Sequence, residues 1–377
     1  MSDEFDNSEV TPSDGIEIPA VIESAIDGSN LDASTTADEA SALTETEGTN
    51  DAGGETSKSL AIENLPSCGF MTEKIAGKGE DSEPIEYTWE YETGRKTLLA
   101  VFDGMGGAGS RKVPDINNPD AAVSMAYLAS RAARGAVMEA CNQVTPKMQP
   151  GEIVEVLGQH IQKFLLRLST RENGIPEGSM RGKMVKDYPT TVAIAIIEEG
   201  ENRNVHMMWA GDSRVYAMWP DQDFLLQQLT LDHTASGASS DGGDAALTRC
   251  ATPDSVSLEY VNIEVPRDAI VFVATDGCFA YESTQFFLTT LIEQLDRSAN
   301  IAQYSQNLAS ALSSIAGDDC SMAMSFPPDV DFGILQEKLR KHLRHLQDIR
   351  NVPRSNPFLS FTSGDFFLKH LRNRSGG

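Results

Sequence analysis

The chain is short of cysteines, aromatics, bases and long apolar runs, and each shortage narrows what it can be. Its five cysteines (Cys68, Cys141, Cys250, Cys278, Cys320) are odd in number, scattered and without a C-x-x-C pair. That excludes a disulfide frame or zinc site and fits reduced thiols in a cytosolic protein. Lys and Arg number 30 against 56 Asp and Glu, a formal net charge of −26. A nucleic-acid surface needs a basic footprint, so no nucleic-acid partner is expected. No apolar run approaches the ~20 residues that span a bilayer, so no transmembrane segment is expected. The opening MSDEFDNSEV lacks the basic start and apolar core of a signal peptide, and a cytoplasmic location is expected.

What is present is unevenly spread. Residues 1–60 hold fifteen Asp or Glu and one Lys, with no apolar periodicity; this composition predicts a disordered, solvating acidic tail. Residues 61–326 carry the apolar periodicities of a folded domain. Residues 327–377 reverse the sign, with nine Lys or Arg against five acids. There Leu335, Leu339, Leu343, Leu346 and Ile349 recur at helical spacing. This basic helical extension is expected to pack on the body, to dock a regulatory partner or to lie on a membrane surface.

Within the body, Glu86–Tyr91 and Lys96–Phe102 read as a hairpin around Glu92-Thr93-Gly94, and Asp120–Asn142 as a helix capped by Asp120. Glu152–Arg171 reads as an amphipathic helix. Strands are predicted at 190–197, 205–210, 214–218, 224–229, 257–265, 269–275 and 321–326, and helices at 283–295 and 301–316. Antiparallel hairpins with paired helices predict an α+β fold, strands central and helices outside.

Aspartates recur at the ends of these apolar runs, beside glycine. Lys96–Phe102 runs into Asp103-Gly104, Val205–Ala210 into Gly211-Asp212, Ala269–Thr275 into Asp276-Gly277, and Gly317-Asp318-Asp319 precedes Ser321–Phe326. Carboxylates at strand ends can converge on one rim of a sheet. Two of them ~5 Å apart repel by roughly 3 kcal/mol at an effective dielectric near 20, so several together call for a cation. Oxygen-only ligation suits Mg²⁺ or Mn²⁺.

Glu80-Asp81, the run Val101–Gly107, Pro189-Thr190-Thr191, Ala210–Arg214, Leu229–Thr234, Leu247-Thr248-Arg249, Ala274–Gly277 and Asp318–Ser321 stand in one order along the chain. Together they resemble the type 2C family of metal-dependent Ser/Thr protein phosphatases, in its bacterial-like branch. The resemblance covers residues 68–326 and implies a central antiparallel β-sandwich flanked by helix pairs, four layers in all. It implies two Mn²⁺ or Mg²⁺ ions, with an optional, weakly held third. Carried over, Asp103 would bridge both ions, Asp276 and Asp318 would ligate the first, and Glu80 with the Gly104 carbonyl the second. Asp81 would orient this shell and Asp212 would serve the third ion. The implied activity is hydrolysis of phosphoserine and phosphothreonine in protein substrates by a metal-bridging hydroxide. The absence of a Cys-x5-Arg or Asp-x-Asp-x-Thr signature agrees with a route lacking a phosphoenzyme.

Three positions depart from the family pattern. Met105 stands where many relatives carry His, and Ala280 where some carry a third-metal Asp. The arginine that grips substrate phosphate is missing before Glu80, leaving Lys74, Lys78 or Arg111 as candidates; lysine lacks the bidentate fork. The alternative reading is therefore a pseudophosphatase, a binding or scaffold module. Thr190 and Thr191 are expected as strand residues, His233 as a structural hydrogen-bonder, Arg249 as a bridge between strands, and 235–246 as a loop shaping substrate access.

Overall fold

Apolar side chains run along the central strands so that both of their faces are buried. On β3 (Gly94–Val101), Leu98 and Ala100 point to one core while Leu99 and Val101 point to another. A strand buried on both sides needs a layer above and below it, and the computed structural model supplies both. It describes residues 67–91, 94–116, 118–145, 147–171, 186–220, 225–235, 247–328 and 331–350. The acidic stretch 1–60, the hairpin positions Glu92-Thr93, most of the 235–246 loop and residues 351–377 lie outside the described residues.

The first strands are β1 (Ser67–Thr72), β2 (Ile85–Tyr91) and β3, followed by a short ribbon of β4 (Lys112–Pro114) and β5 (Ala122–Ser124). Helices α1 (Met125–Cys141) and α2 (Pro150–Arg171) follow. Then come β6 (Val192–Glu199), β7 (Arg203–Ala210), β8 (Arg214–Met218), β9 (Leu226–Gln228), β10 (Glu259–Val265) and β11 (Ile270–Ala274). Helices α3 (Thr284–Asp296) and α4 (Ile301–Ser313), strand β12 (Cys320–Ser325) and helix α5 (Phe332–Arg350) complete the order. One sheet runs β1-β12-β11-β8-β9 and the other β10-β7-β6-β3-β2. Every pairing among the named strands is antiparallel.

The layers are αββα. Between the sheets lie Leu99, Val101, Ala193, Ala195, Met207, Trp209, Val271, Val273 and Ala323. Helices α1 and α2 cover the second sheet, with Phe164, Leu157 and Ala132 against Phe102 and Ile194. Helices α3, α4 and α5 cover the first, with Phe287, Leu308 and Leu339 against Phe272 and Met324. The last helix is thus part of this layer: Leu335, Leu339 and Leu343 are buried, each contributing about 1.5–3 kcal/mol.

The expected helix over 120–142 is shorter. Residues 122–124 pair with 112–114, and the helix begins at Met125, capped by Ser124, whose Oγ accepts from the Tyr127 amide at 3.1 Å. Asp120 and Ser124 are both good capping residues; the ribbon pairing selects the second. Strand β1 was not expected, because Ser67–Thr72 carries a glycine and no clean alternation.

Candidate functional site

The strand registers bring the predicted acidic positions to one end of the sandwich. Ala100 at the end of β3 pairs with Ile194 near the start of β6, and Val192 pairs with Ala210 at the end of β7. In the other sheet Ala274 pairs with both Arg214 and Met322, and Thr72 with Cys320. Asp103, Asp212, Asp276, Asp318 and the Glu80-Asp81 pair therefore all leave from the same rim. Asp81 and Asp319 are buried, Glu80, Asp103, Asp212 and Asp276 are half-buried, and Asp318 is exposed, so the cluster opens to solvent on one side.

Backbone contacts fix each carboxylate. The Asp103 carbonyl accepts from the Thr191 amide and from Thr190 Oγ1, both at 2.8 Å. Its amide donates to Thr191 Oγ1 at 3.3 Å, and that hydroxyl lies 2.6 Å from Ser213 Oγ. The two threonines thus clamp the loop that carries Asp103. The Gly211-Asp212 turn has φ +116 at Gly211, where a Cβ would lie 2.7 Å from Thr191; glycine alone suits that position. His233 holds this turn: its Nδ1 accepts from the Gly211 amide at 3.1 Å, and its Nε2 lies 2.9 Å from Glu259. Its ring stacks on Trp209. Arg249 reaches the same Glu259 oxygen at 3.5 Å.

Asp276 opens a short 3₁₀ turn, whose Gly277 packs against the Asp318-Asp319 segment so closely that a Cβ would lie 1.7 Å from the Asp319 carbonyl. Asp81 accepts from Thr275 Oγ1 at 2.8 Å. The adjacent pair Asp318-Asp319 divides its work. Asp319 turns inward and accepts from the Lys74 amide at 2.8 Å and the Glu80 amide at 2.6 Å, pinning the loop that presents Glu80. Helix α1 holds Glu80 from the other side: Ser124 Oγ donates to its carboxylate, Ser130 Oγ to its carbonyl at 2.6 Å, and Arg131 to the Gly79 carbonyl at 3.3 Å. Gly106 leaves the space for this carboxylate, since a Cβ there would lie 1.7 Å from Glu80 Oε2.

The sequence did not single out Asp319, Ser124, Ser130 or Arg131. The Asp-Asp doublet was the available signal for the first; the other three depended on the true start of α1. Of the candidate phosphate cations, Lys74 Nζ donates to the Gly317 carbonyl. Arg111 Nε donates to Met125 Sδ at 3.0 Å, and its guanidinium lies 3.9 Å from Asp187. Lys78 is exposed.

The electrostatics express the crowding. Burial, then the charges of Asp212 and Asp318, raises the Asp276 carboxyl to about 7. Burial followed by Asp81, Asp276, Asp212 and Asp318 pushes Asp103 well above its ordinary value. Asp81 rises chiefly through burial, despite its Thr275 hydrogen bond. Glu80 is raised by burial and eased by Ser124 and Lys112.

Among the described residues, no three Asp, Glu, His or Cys side chains are gathered tightly enough to hold a metal ion as placed. The fit to a metal rests instead on the donor set. It is all carboxylate and carbonyl oxygen, which matches a hard divalent cation, and its upward-shifted carboxyls reflect burial and crowded negative charge that a cation would relieve.

No protein-family model matches the chain, and no curated protein matches it. Solved structures do align with it. The serine/threonine phosphatase Stp1 from Staphylococcus aureus shares 16% identity over 70% of this chain and 95% of its own, with a TM-score of 0.49. The catalytic domain of the phosphatase PstP, solved with two manganese ions, shares 17% over 70% and 97%, with a TM-score of 0.47. The PPM Ser-Thr phosphatase MsPP from Mycobacterium smegmatis, in complex with cacodylate, shares 14% over 70% and 98%, with a TM-score of 0.44.

Proposed function

We propose that the chain is a metal-dependent phosphatase acting on phosphoserine and phosphothreonine in proteins. One observation carries the reading: carboxylates from five separate loops leave from one open rim, where burial and one another's charges hold their protons more tightly than usual. Folding pays for like charges only where a counter-charge arrives. In this reading Asp103, Asp276, Asp318 and Glu80, with the Gly104 carbonyl, hold two Mn²⁺ or Mg²⁺ ions, and Asp212 stands beside an optional third. Bound there, such ions supply a hydroxide near neutral pH and polarise the phosphoryl oxygens.

The chain's own residues then have distinct tasks. Asp81, buried and bonded to Thr275, orients the carboxylates it touches, as groups behind a metal's ligands do. Thr190 and Thr191 fix the Asp103 loop. Asp319 and Ser124 fix Glu80. None of these groups needs to act as a nucleophile.

The test is Mn²⁺-dependent hydrolysis of a phosphothreonine peptide, run beside phosphorylated metabolites and with Asp103→Asn as the inactive control. Turnover that survives thorough chelation, or that prefers the metabolites, overturns the reading. A second reading, a catalytically silent binding module, is favoured by the missing phosphate arginine and by the absence of a tight three-ligand group among the described residues. It requires no turnover at millimolar Mn²⁺ with a phosphopeptide partner still bound.

A further inference from the structure

The ribbon β4–β5 brings to this rim a cation with no local sequence signature. Lys112 pairs directly with Ser124 across the ribbon. Directly opposed residues of an antiparallel pair share a face, with Cβ atoms about 4.5–5.5 Å apart. The Ser124 hydroxyl on that face donates to the Glu80 carboxylate, so the Lys112 stem starts one side chain away from a proposed metal ligand. Lys112 is exposed, and no hydrogen bond or ion pair to another described residue engages its ammonium. Its charge is the strongest attractive charge acting on Glu80. Of the rival cations, Lys74 Nζ is engaged by the Gly317 carbonyl and Arg111 by Met125 Sδ and Asp187, while Lys78 is exposed on the loop before Glu80 and serves as the control.

We propose that Lys112 is the phosphoryl-binding cation of this site, reaching from the ribbon over Glu80 to a non-bridging oxygen of a phosphoserine or phosphothreonine substrate. The proposal rests on the phosphatase reading. An ammonium is a compact point charge, so it serves affinity without imposing the planar two-point grip of a guanidinium. It enters the substrate complex and leaves the attacking group alone, so its loss should appear in KM and not in kcat.

The experiment compares full-length wild type, Lys112→Ala, Lys112→Arg and Lys78→Ala with a phosphothreonine peptide in saturating Mn²⁺. Inhibition by inorganic phosphate is measured in parallel. For Lys112→Ala, loss of one charge-assisted contact raises KM and the phosphate inhibition constant together by about tenfold. The expected kcat stays within about twofold of wild type, as for removal of uniform binding. Lys112→Arg restores most of the loss. Mn²⁺ binding to Lys112→Ala, followed by calorimetry, is unchanged or slightly tighter, because a cation beside Glu80 has gone.

An unchanged KM with only a shift in Mn²⁺ affinity makes Lys112 a charge screen for Glu80 and overturns the proposal. So does an effect found in Lys78→Ala instead. If the wild type itself shows no turnover, the phosphatase reading has failed. Calorimetry of inorganic phosphate on the Mn²⁺-loaded chain then decides: binding lost in Lys112→Ala upholds the assignment, and binding absent or unaltered ends it.

Discussion

Replacing Asp276 by Asn should make the metal-free protein more stable, although the same change removes a proposed metal ligand. Burial and the neighbouring Asp212 and Asp318 lift the Asp276 carboxyl from an ordinary 3.8 to about 7. About three pH units at 1.36 kcal/mol each is a penalty of ~4 kcal/mol for the ionised folded form. Part of the group faces solvent, and screening trims this to about 2–4 kcal/mol. Below pH ~4 the carboxyl is protonated in folded and unfolded chains alike, so its stability is intact there; it is lost as pH rises through about 7. Asn keeps an acceptor for the Gly277 amide and carries no charge. With chelator at pH 8, Asp276→Asn should therefore melt roughly 5–15 °C above wild type. At pH 4.5 the gap should shrink to about a quarter of its pH 8 value, and adding Mn²⁺ at pH 8 should raise the wild type far more than the variant. Thermal unfolding followed by tryptophan fluorescence reads all three conditions. If the variant in chelator at pH 8 is no more stable than wild type, the carboxylates do not crowd the rim and the case for a cation collapses.

Other expectations follow from the same contacts. Asp103→Asn should fold and lower Mn²⁺-dependent phosphopeptide turnover by about a thousandfold or more, since it removes a carboxylate proposed to hold both ions. Thr191→Val removes the hydroxyl shared by the Asp103 amide and Ser213 and should cost about 1–2 kcal/mol in urea unfolding, with weaker Mn²⁺ binding. Gly106→Ala drives a Cβ into the Glu80 carboxylate; the side chain can swing away, so calorimetry should show weakened Mn²⁺ binding with a nearly unchanged melting temperature. Leu339→Ala, on the buried face of the last helix, should cost about 2–5 kcal/mol.

Most of the fold was legible because the strands are strongly patterned. Runs such as Leu98–Phe102 and Ile270–Ala274 are buried on both faces, and a continuous apolar run ending at Asp-Gly marks both the strand and its rim. Strand β8 was read at its true limits. Less patterned pieces escaped: Ser67–Thr72 lies at a sheet edge, and the three-residue strands β4 and β5 are too short to show a period. Missing that ribbon shifted the expected helix start to Asp120 and hid Ser124, Ser130 and Lys112. These are side chains whose importance comes from pairing distant segments, not from any local signature. Asp319 shows the same limit on a smaller scale. In sequence it is a duplicate of Asp318, yet its two oxygens are committed to the amides of Lys74 and Glu80.

This division of labour bears on why the charged rim is compatible with a stable fold. The proposed metal-facing carboxylates are positioned largely through the main chain: Asp103 by Thr190 and Thr191, Asp276 by the close approach of Gly277 to Asp319, Glu80 by Asp319 below its amide and Ser130 on its carbonyl. Main-chain anchoring leaves side-chain oxygens available for a ligand, whereas anchoring through those oxygens would consume the donors the site needs. Asp81 and Asp319, both buried, spend their carboxylates on the protein, while Asp318 accepts the Asp319 amide at 2.9 Å and Asp276 accepts the Gly277 amide. At Glu80, Ser124 occupies one oxygen. A hydroxyl can turn from donor to bystander by rotating its proton, so even that oxygen remains accessible to a cation.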